Sequence, residues 1–320
     1  MKNIRVWFLV VALLLSLTAC GKTVNTEVSR ETLEQTGAFL MDSVEAPSFG
    51  SVGGEWMVLG LARSNLEVSA EYFEAYFQNL SAYVAQQGGI LHEKKYTEYS
   101  RVILAVTAIG KDATDVGGFN LLEPLADFEQ TVFQGINGPI FALLALDSGD
   151  YDIPECQTDG TQATRDLYVD YIVNAQLPEG GWSLTGGEAE ADLTAMALQA
   201  LAGYQERQDV AAAIEKGLTV LSQSQNEQGG FTAFQAESSE SIAQTMVALT
   251  KLGISLEDPR FVKNGNTLLD ALLQFRQADG GFSHVMEENS DLLATEQAFY
   301  ALVAADRQAR GESSLYKMKG

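Results

Sequence analysis

One short motif returns along this chain at a period of about fifty residues, and it constrains the fold more than any other feature. The copies read Gln-Leu-Pro-Glu-Gly-Gly-Trp at 176–182, Gln-Asn-Glu-Gln-Gly-Gly-Phe at 225–231 and Arg-Gln-Ala-Asp-Gly-Gly-Phe at 276–282. Some ten residues after each copy, an apolar segment of helical character begins. A repeat of this length predicts supersecondary units that are stacked or arranged in a circle.

The rest of the chain divides into six helix pairs on the same plan. Amphipathic first members are predicted at 30–45, 69–86, 122–134, 161–176, 209–225 and 261–277. Second members, apolar nearly all round, are predicted at 55–62, 98–109, 139–146, 192–201, 242–252 and 295–303. An amphipathic helix has one solvent-facing side, whereas a helix without a polar face is surrounded by other helices. The alternation therefore predicts an all-α fold, a closed double ring of six inner and six outer helices.

The first twenty residues have the pattern of a secretion signal. Lys2 and Arg5 precede an apolar run over 6–17, which is shorter than the roughly twenty residues that a membrane span requires. The small residues before Cys20 resemble the lipobox of bacterial lipoproteins. This resemblance implies a signal peptide at 1–19, a lipid on Cys20 that inserts into the membrane, and a tether at 20–29, which would place the protein on the outer face of the bacterial cell membrane. The alternative is an ordinary signal peptide with a chance cysteine.

Charge and cysteine content narrow the partners. The net charge is −23, and removal of Lys2 and Arg5 with the signal would bring it to −25. Such a surface repels phosphate backbones, so nucleic acid is excluded as a partner. The other cysteine is Cys156, and with Cys20 lipidated it has no partner within the chain for a disulfide.

The Gln-x-x-x-Gly-Gly-aromatic steps resemble the QW repeats of terpenoid cyclases and the repeats of protein prenyltransferase β subunits. Both families share an α6/α6 toroid, and intrinsic factor and transcobalamin have the same ring more distantly. The segments at 96–101, 136–141 and 192–197 look like those of secreted bacterial prenyltransferase/squalene oxidase repeat proteins. The resemblance implies an α/α toroid over 30–305, and residues 306–320 are predicted to form a polar C-terminal tail.

The same resemblance bears on zinc. Prenyltransferases bind their catalytic zinc through an Asp and a Cys two residues apart at the start of one inner helix, and a His from a later one. Asp192 matches the family's Asp, but Thr194 stands where the cysteine is needed. The start of the last inner helix contains no His. Zinc-dependent prenyl transfer is therefore predicted to be absent, and no cofactor is expected.

Class II terpene cyclases protonate their substrate with the central acid of a D-x-D-D-T-A motif. The corresponding residues here are Glu190-Ala191-Asp192-Leu193-Thr194-Ala195. Asp192 keeps the central acid, which makes it the candidate general acid, but Leu193 replaces the neighbouring carboxyl that strengthens it. The alternative for Asp192 is a structural role as the N-cap of the following helix.

We therefore predict a surface-tethered, non-catalytic toroid that binds a hydrophobic or corrinoid-like ligand, or a partner, in the cavity at the inner helix starts. The alternative is an isoprenoid-processing enzyme that uses Asp192, and a third hypothesis is a filled core whose exterior docks a surface protein. The candidate ligand-binding residues are Glu55, Trp56, Glu98, Tyr99, Asn137, Phe141, Asp192, Gln244, Glu296 and Tyr300. Trp182, Phe231 and Phe282, which follow the Gly-Gly pairs, are interpreted as structural residues.

Overall fold

The computed structural model describes residues 28–233 and 236–319, and this part of the chain contains twelve α-helices. They are α1 (Arg30–Ser43), α2 (Glu55–Arg63), α3 (Ala70–Gln86), α4 (Thr97–Ala108), α5 (Phe128–Thr131), α6 (Asn137–Ser148), α7 (Arg165–Asn174), α8 (Ala191–Leu201), α9 (Gln208–Ser224), α10 (Ser239–Lys251), α11 (Leu268–Leu273) and α12 (Leu292–Ala309). The predicted signal peptide, Cys20 and most of the tether lie outside the described residues.

The even-numbered helices form a closed inner ring. Each of them packs on the next, from α2 through α4, α6, α8 and α10 to α12, and α12 packs back on α2. The odd-numbered helices lie outside this ring, where α1, α7, α9 and α11 contact α12, α6, α8 and α10 respectively. The predicted all-α toroid with six inner and six outer helices is confirmed.

All six inner helices run in the same direction, because an outer helix returns the chain before each of them. Their N-termini therefore lie together at one end of the ring, which we call the mouth end. Their C-termini lie together at the other end, which we call the tail end because residues 310–319 lie across it. The chain also forms one short antiparallel hairpin, β1 (Thr232–Ala233) with β2 (Ala236–Glu237), which the sequence does not reveal.

Two outer helices are less than half as long as predicted, and α7, predicted at 161–176, spans Arg165–Asn174. The segment predicted at 122–134 is a one-turn α5 between two 3₁₀ helices, because Asp127 stops the first one and caps α5 by accepting a hydrogen bond from the Gln130 N–H at 3.0 Å. The segment predicted at 261–277 shrinks to α11, because Thr267 and Asp270 form a capping box that starts the helix there.

The last segment is not a free polar tail. The predicted boundary at residue 305 falls inside α12, and beyond that helix Leu315 and Tyr316 are 1% and 3% exposed. The chain crosses the tail end of the ring, and Met318 N–H donates to the carbonyl of Ser148, at the end of α6, over 2.9 Å. In the sequence, Leu315 and Tyr316 stand among polar residues, so their burial against the core was not predicted.

Arg63, in the last turn of α2, holds this segment in place. Its guanidinium donates to the carbonyls of Leu315, Ser314 and Lys317 at 3.0, 2.9 and 2.9 Å. Arg307, in the last turn of α12, donates to the Ser313 carbonyl at 2.8 Å. Two guanidinium groups therefore pair with backbone carbonyls that would otherwise be left unsatisfied.

The three Gly-Gly motifs have one backbone geometry. In each, one residue donates its N–H to the carbonyl of the second glycine and accepts from the N–H of the first; these residues are Leu177, Asn226 and Gln277. The turn requires a positive φ at the first glycine, which is +97° at Gly180 and +93° at Gly280. The aromatic side chain that follows is buried in every copy, so the structural interpretation of these aromatics is confirmed.

Candidate functional site: the mouth of the toroid

Three aromatic side chains meet in the middle of the inner ring. The ring centroid of Trp56 on α2 lies 5.8 Å from that of Phe141 on α6 and 6.0 Å from that of Tyr300 on α12. Because α2 and α6 are separated by α4 in the ring, the first of these contacts spans the hollow. The aromatic cluster closes the centre at this depth and forms a floor, which we call the aromatic floor.

Polar residues stand one helical turn above the floor on three of the inner helices. Residues four apart share a helix face, so the first-turn residue lies on the mouth side of the deeper one. The pairs are Asn137 with Phe141, Asp192 with Met196, and Glu240 with Gln244. Nearly all of these residues are half-buried, and Gln244 is 8% exposed. The mouth end therefore has partly exposed polar side chains one turn above apolar ones.

A glutamine network fixes one side of the floor. Gln199 Nε2 donates to the carbonyl and to Oε1 of Gln244, both at 2.9 Å. Gln244 Nε2 in turn donates to Gln297 Oε1 at 2.9 Å and to the Tyr300 hydroxyl at 2.5 Å. Both the side-chain oxygen and the side-chain nitrogen of Gln244 are thus hydrogen-bonded within the protein. The Gln297 amide nitrogen, in contrast, has no hydrogen-bond partner among the described residues. That half-buried amide is a free donor beside the floor.

Asp192 is the second residue of α8, and the interpretation of it as the N-cap is wrong. The N-cap is Glu190, whose carboxylate accepts from the Ser183 hydroxyl at 2.8 Å and the Leu184 N–H at 3.0 Å. Burial raises the pKa of the Asp192 carboxyl, and the neighbouring Glu190 and Glu240 carboxyls raise it further. Asp192 lines a cavity of about 390 Å³ together with Phe231.

Glu55 and Glu98 are tied to one arginine. Glu55 is fully buried, accepts from Arg101 Nε at 2.7 Å, and also bonds the Tyr76 hydroxyl and the Gly50 N–H. Glu98 pairs with the other side of the same guanidinium and keeps a side-chain exposure of 21%. Glu55 is therefore a structural ion-pair partner, and Glu98 shares the single positive charge of Arg101 with it while part of its side chain stays exposed.

Glu296 is fully buried between α12 and the loop before α2. One of its oxygens accepts the Gly53 N–H at 2.7 Å, and the other has no partner among the described residues. Burial raises the pKa of Glu296 to about 8, and the Glu55 and Asp291 carboxyls add to the shift. The structure therefore places a largely protonated carboxyl behind the ring wall, not at the mouth.

The structure does not bring Tyr99 to the mouth either. Its hydroxyl accepts the Leu91 N–H at 3.0 Å, and its ring lies edge-on to Tyr96 with centroids 5.4 Å apart. Both tyrosines line a separate cavity at the side of the ring. Among the candidates, Trp56, Phe141 and Tyr300 form the floor and Gln244 bonds the Tyr300 hydroxyl, while Asn137 and Asp192 lie in the first turns of α6 and α8.

Sequence reasoning missed an acid–base pair at the mouth. Glu240 on α10 pairs with His284 Nδ1 at 2.8 Å, and this hydrogen bond raises the pKa of His284. Glu240 is not among the predicted site residues, because the predicted helix begins at Ile242, three residues after the observed start. The four-residue spacing to Gln244, which repeats the spacing of Asp192 and Met196, was the available signal.

The rim of the mouth exposes apolar side chains. The described residues include six exposed large hydrophobics, and five of them lie in segments that join an outer to an inner helix: Val52, Ile90, Phe133, Leu184 and Met286. The sixth, Phe119, packs against Gly89 in one of these segments. The joining segments (44–54, 87–96, 132–136, 175–190, 225–238 and 274–291) contain eleven acidic and three basic residues. The mouth end is thus both apolar and acidic.

Within the described residues, no set of three or more His, Cys, Asp or Glu side chains is grouped so that it would bind a metal ion. None of the described helices has the length and apolar character needed to span a bilayer.

Comparison with known proteins identifies the fold. Residues 197–310 match the prenyltransferase alpha-alpha toroid domain. No curated protein matches the chain in sequence. Among solved structures, a protein from Actinoplanes is similar with a TM-score of 0.59 and 13% identity, covering 88% of this chain and 99% of that one.

Two enzymes are also structurally similar. A type II terpene cyclase from Scytonema, solved with its product merosterolic acid A, has a TM-score of 0.54 and 15% identity over 87% of this chain and 97% of its own. An unsaturated glucuronyl hydrolase from Bacillus sp. GL1 has a TM-score of 0.55 and 12% identity over 90% and 98%. These identities establish the fold and no activity. Residues 197–310 are therefore similar to the prenyltransferase alpha-alpha toroid domain, and the described part of the chain has the α/α toroid fold.

Proposed function

We propose that this chain is a surface-tethered binding protein that takes a hydrophobic ligand at the mouth of the toroid and does not turn it over. The observation that carries the proposal is the aromatic floor of Trp56, Phe141 and Tyr300, in which Trp56 and Phe141 remain partly exposed at the centre of the ring. Concave sites with apolar walls and a few placed polar groups are typical ligand sites. The free Gln297 amide supplies such a polar group.

The geometry also limits the ligand's shape. Because Trp56 and Phe141 meet across the hollow, a ligand lies on the floor and does not thread through the ring. A flat ring system of the corrinoid kind or a folded polyprenyl chain fits this description. The excess of acidic residues around the mouth favours a ligand that is neutral or carries a positive group over an anionic one.

The tether supports a binding role outside the cell. α1 begins at the tail end, where Arg30 Nη1 donates to the carbonyl of Asn65, just beyond the end of α2, at 2.9 Å. A lipid on Cys20 would therefore approach the ring from the tail end, over a segment of ten residues that spans at most roughly 35 Å. The mouth end would then face away from the outer surface of the membrane.

A second candidate function is isoprenoid processing with Asp192 as general acid. It is favoured by the raised pKa of Asp192 and by the position of this carboxyl on the wall of the 390 Å³ cavity. A proton donor must be protonated at the working pH and must stand beside the substrate. Leu193 still replaces the carboxyl neighbour of the cyclase motif, so this candidate ranks second.

Tryptophan fluorescence tests the proposal. The chain from Gly21 onward contains the whole described fold and two tryptophans, Trp56 on the floor and the buried Trp182. Trp182→Phe introduces the residue type that the other two repeats have at this position, and leaves Trp56 as the tryptophan that reports binding. We expect geranylgeraniol and geranylgeranylamine to shift the Trp56 emission, and Phe141→Ala to weaken binding at least about tenfold, since it removes one wall of the floor.

The matched control is Trp56→Phe with Trp182 kept, in which neither ligand should change the emission. Chromatography of the same mixtures detects conversion to cyclic products. Absence of any Trp56 response to both ligands would contradict the binding proposal. Conversion that disappears in Asp192→Asn would instead establish the enzyme.

A further inference from the structure

We propose that this protein has a second binding site, for a small organic cation, in the cavity at the side of the ring. The cavity has a volume of about 440 Å³ and lies between the segment before α4, the segment 119–127 and residues 156–158. Its walls include Tyr96, Tyr99 and Phe119. No residue of the aromatic floor lines it, so it is separate from the floor, although Ile90 of the mouth rim is among its lining residues.

The aromatic walls are held rigidly. The Tyr99 hydroxyl accepts the Leu91 N–H, and the Tyr96 and Tyr99 rings pack edge to face at an interplanar angle of 71°. Phe119 lies so close to Gly89 that a Cβ there would come within 2.5 Å of its ring, and Gly89 has a φ of +84°. Glycine therefore permits this close approach. The walls are in place before any ligand arrives, which reduces the entropic cost of binding.

The charge lining the cavity is entirely negative. Glu93 and Glu123 line it and have no hydrogen bond or ion pair with any described residue, and Asp127 lies deeper. Neither Lys nor Arg is among the lining residues. His92 Nδ1 accepts the N–H groups of Lys94 and Lys95, both at 3.0 Å.

This combination selects a cation with an apolar surface. The faces of tyrosine and phenylalanine rings attract a positive group, and such cages bind quaternary ammonium ions in particular. Two unpaired carboxylates at the opening add Coulombic attraction, and an anion would be repelled. A fully neutral ligand would gain the ring contacts but leave the carboxylates without a counter-charge. The ligand class is therefore a quaternary or alkylated ammonium.

Cys156 gives a direct readout, because its half-buried thiol is part of the cavity wall and lies 3.3 Å from the Thr158 hydroxyl. In the chain from Gly21 onward it is the single cysteine. The rate at which iodoacetamide alkylates Cys156 therefore reports occupancy of this cavity alone. Iodoacetamide is uncharged, so ionic strength does not change its approach through screening.

The test compares three molecules of one shape and different charge: choline, its neutral isostere 3,3-dimethylbutan-1-ol, and the anion 3,3-dimethylbutanoate. We expect saturating choline to slow alkylation at least fivefold, while the other two leave the rate within a factor of two. Equal protection by all three would overturn the cation preference. No protection by choline would overturn the site.

Two variants locate the effect. Tyr96→Leu removes an aromatic ring from the wall and keeps a large apolar side chain there. Glu123→Gln removes an exposed charge. Each variant should raise the choline concentration needed for half-protection at least about fivefold. Phe141→Ala on the aromatic floor is the matched control and should leave choline protection unchanged. Conversely, Tyr96→Leu should not alter the Trp56 response to geranylgeranylamine. The two sites can therefore fail independently, and unchanged thermal midpoints show that the variants remain folded.

Discussion

The two ends of the toroid are completed in different ways. At the mouth end, the segments that join the helices leave Val52, Phe133 and Leu184 at least half exposed, and Trp56 and Phe141 of the aromatic floor are partly exposed. At the tail end, the chain itself lies across the opening, with Leu315 and Tyr316 buried and Arg63 holding their backbone. The same ring of parallel helices thus has one end sealed for stability and one left open for contact.

The charges at the two ends follow the helix dipoles. Asp192 and Glu240 lie in the first turns of inner helices, where the free N–H groups carry partial positive charge. Arg63, Lys251 and Arg307 lie in the last turns, where the carbonyls carry partial negative charge. Burial lowers the pKa of Lys251 to about 8, and its ammonium rests 5.6 Å from the centroid of the Tyr316 ring. Each end therefore carries the side chains that its own dipoles stabilise.

The largest expected effect tests what holds the mouth end together. Arg101→Met removes the partner of the fully buried Glu55, and we expect a loss of about 3–5 kcal/mol in the free energy of unfolding, because an uncompensated buried charge is left behind. Urea denaturation measures the loss. Arg260→Met is the control, since its ion pairs are exposed and should contribute less than about 1 kcal/mol. Equal losses for the two variants would mean that the Glu55 pair does not hold this end.

The next effect concerns the tail end. Arg63→Ala removes donors to three backbone carbonyls, and we expect the unfolding free energy to fall by about 2–4 kcal/mol. Amide hydrogen exchange in residues 313–318 should become much faster in the variant. The Trp56 response to geranylgeranylamine should stay unchanged, because the mouth lies at the other end. A changed response would show that the two ends are coupled, and would contradict the separate roles of the tail end in stability and of the mouth end in binding.

The next effect is the pH dependence of stability that the buried carboxyl of Glu296 causes. Glu296 has a pKa of about 8 when folded and 4.5 when unfolded, so the unfolded chain releases its proton first, and the stability falls as pH rises from about 4.5 to 8. Glu296→Gln keeps an oxygen for the Gly53 N–H and cannot ionise. We expect it to be more stable than the native chain by at least about 1 kcal/mol at pH 8.5 and equally stable at pH 5. A gain that is the same at both pH values would contradict the assignment.

The smallest effect lies at the rim. Glu240 raises the folded pKa of His284, so the pair's contribution is fully present below pH 6.5 and is lost as pH rises through the raised value. His284 is exposed, and a double-mutant cycle of His284→Ala with Glu240→Gln should give a coupling of about 0.2–1 kcal/mol at pH 5.5. The coupling should vanish at pH 9, and persistence there would show that it is not ionic.

The ring could be predicted from the sequence because its evidence is periodic. The repeat length and the alternation of amphipathic with uniformly apolar segments depend on many residues at once, so errors at single positions, such as the shortened α11, do not alter the result. The structural burial of Trp182 and its two counterparts followed from the same repetition.

The site was harder to predict, because an inner helix that is apolar nearly all round does not reveal its rotation about its own axis. Glu55, Glu98, Asp192 and Glu296 all lie in the first turn or two of an inner helix and look alike in sequence. The structure turns Glu55 toward Arg101 and Glu296 toward Gly53, while Asp192 stays at the mouth. Helix rotation is determined by packing against neighbours that are distant in sequence, and local spacing does not encode it.

The contact that closes the ring joins parts of the chain made at very different times. Glu296 on α12 binds Gly53, just before α2, although they are 243 positions apart. During synthesis, the surface of the early helices that packs on α12 stays exposed to solvent until nearly the whole chain has left the ribosome. Contacts of such long range slow folding, and the exposed apolar surface of the unfinished ring favours aggregation.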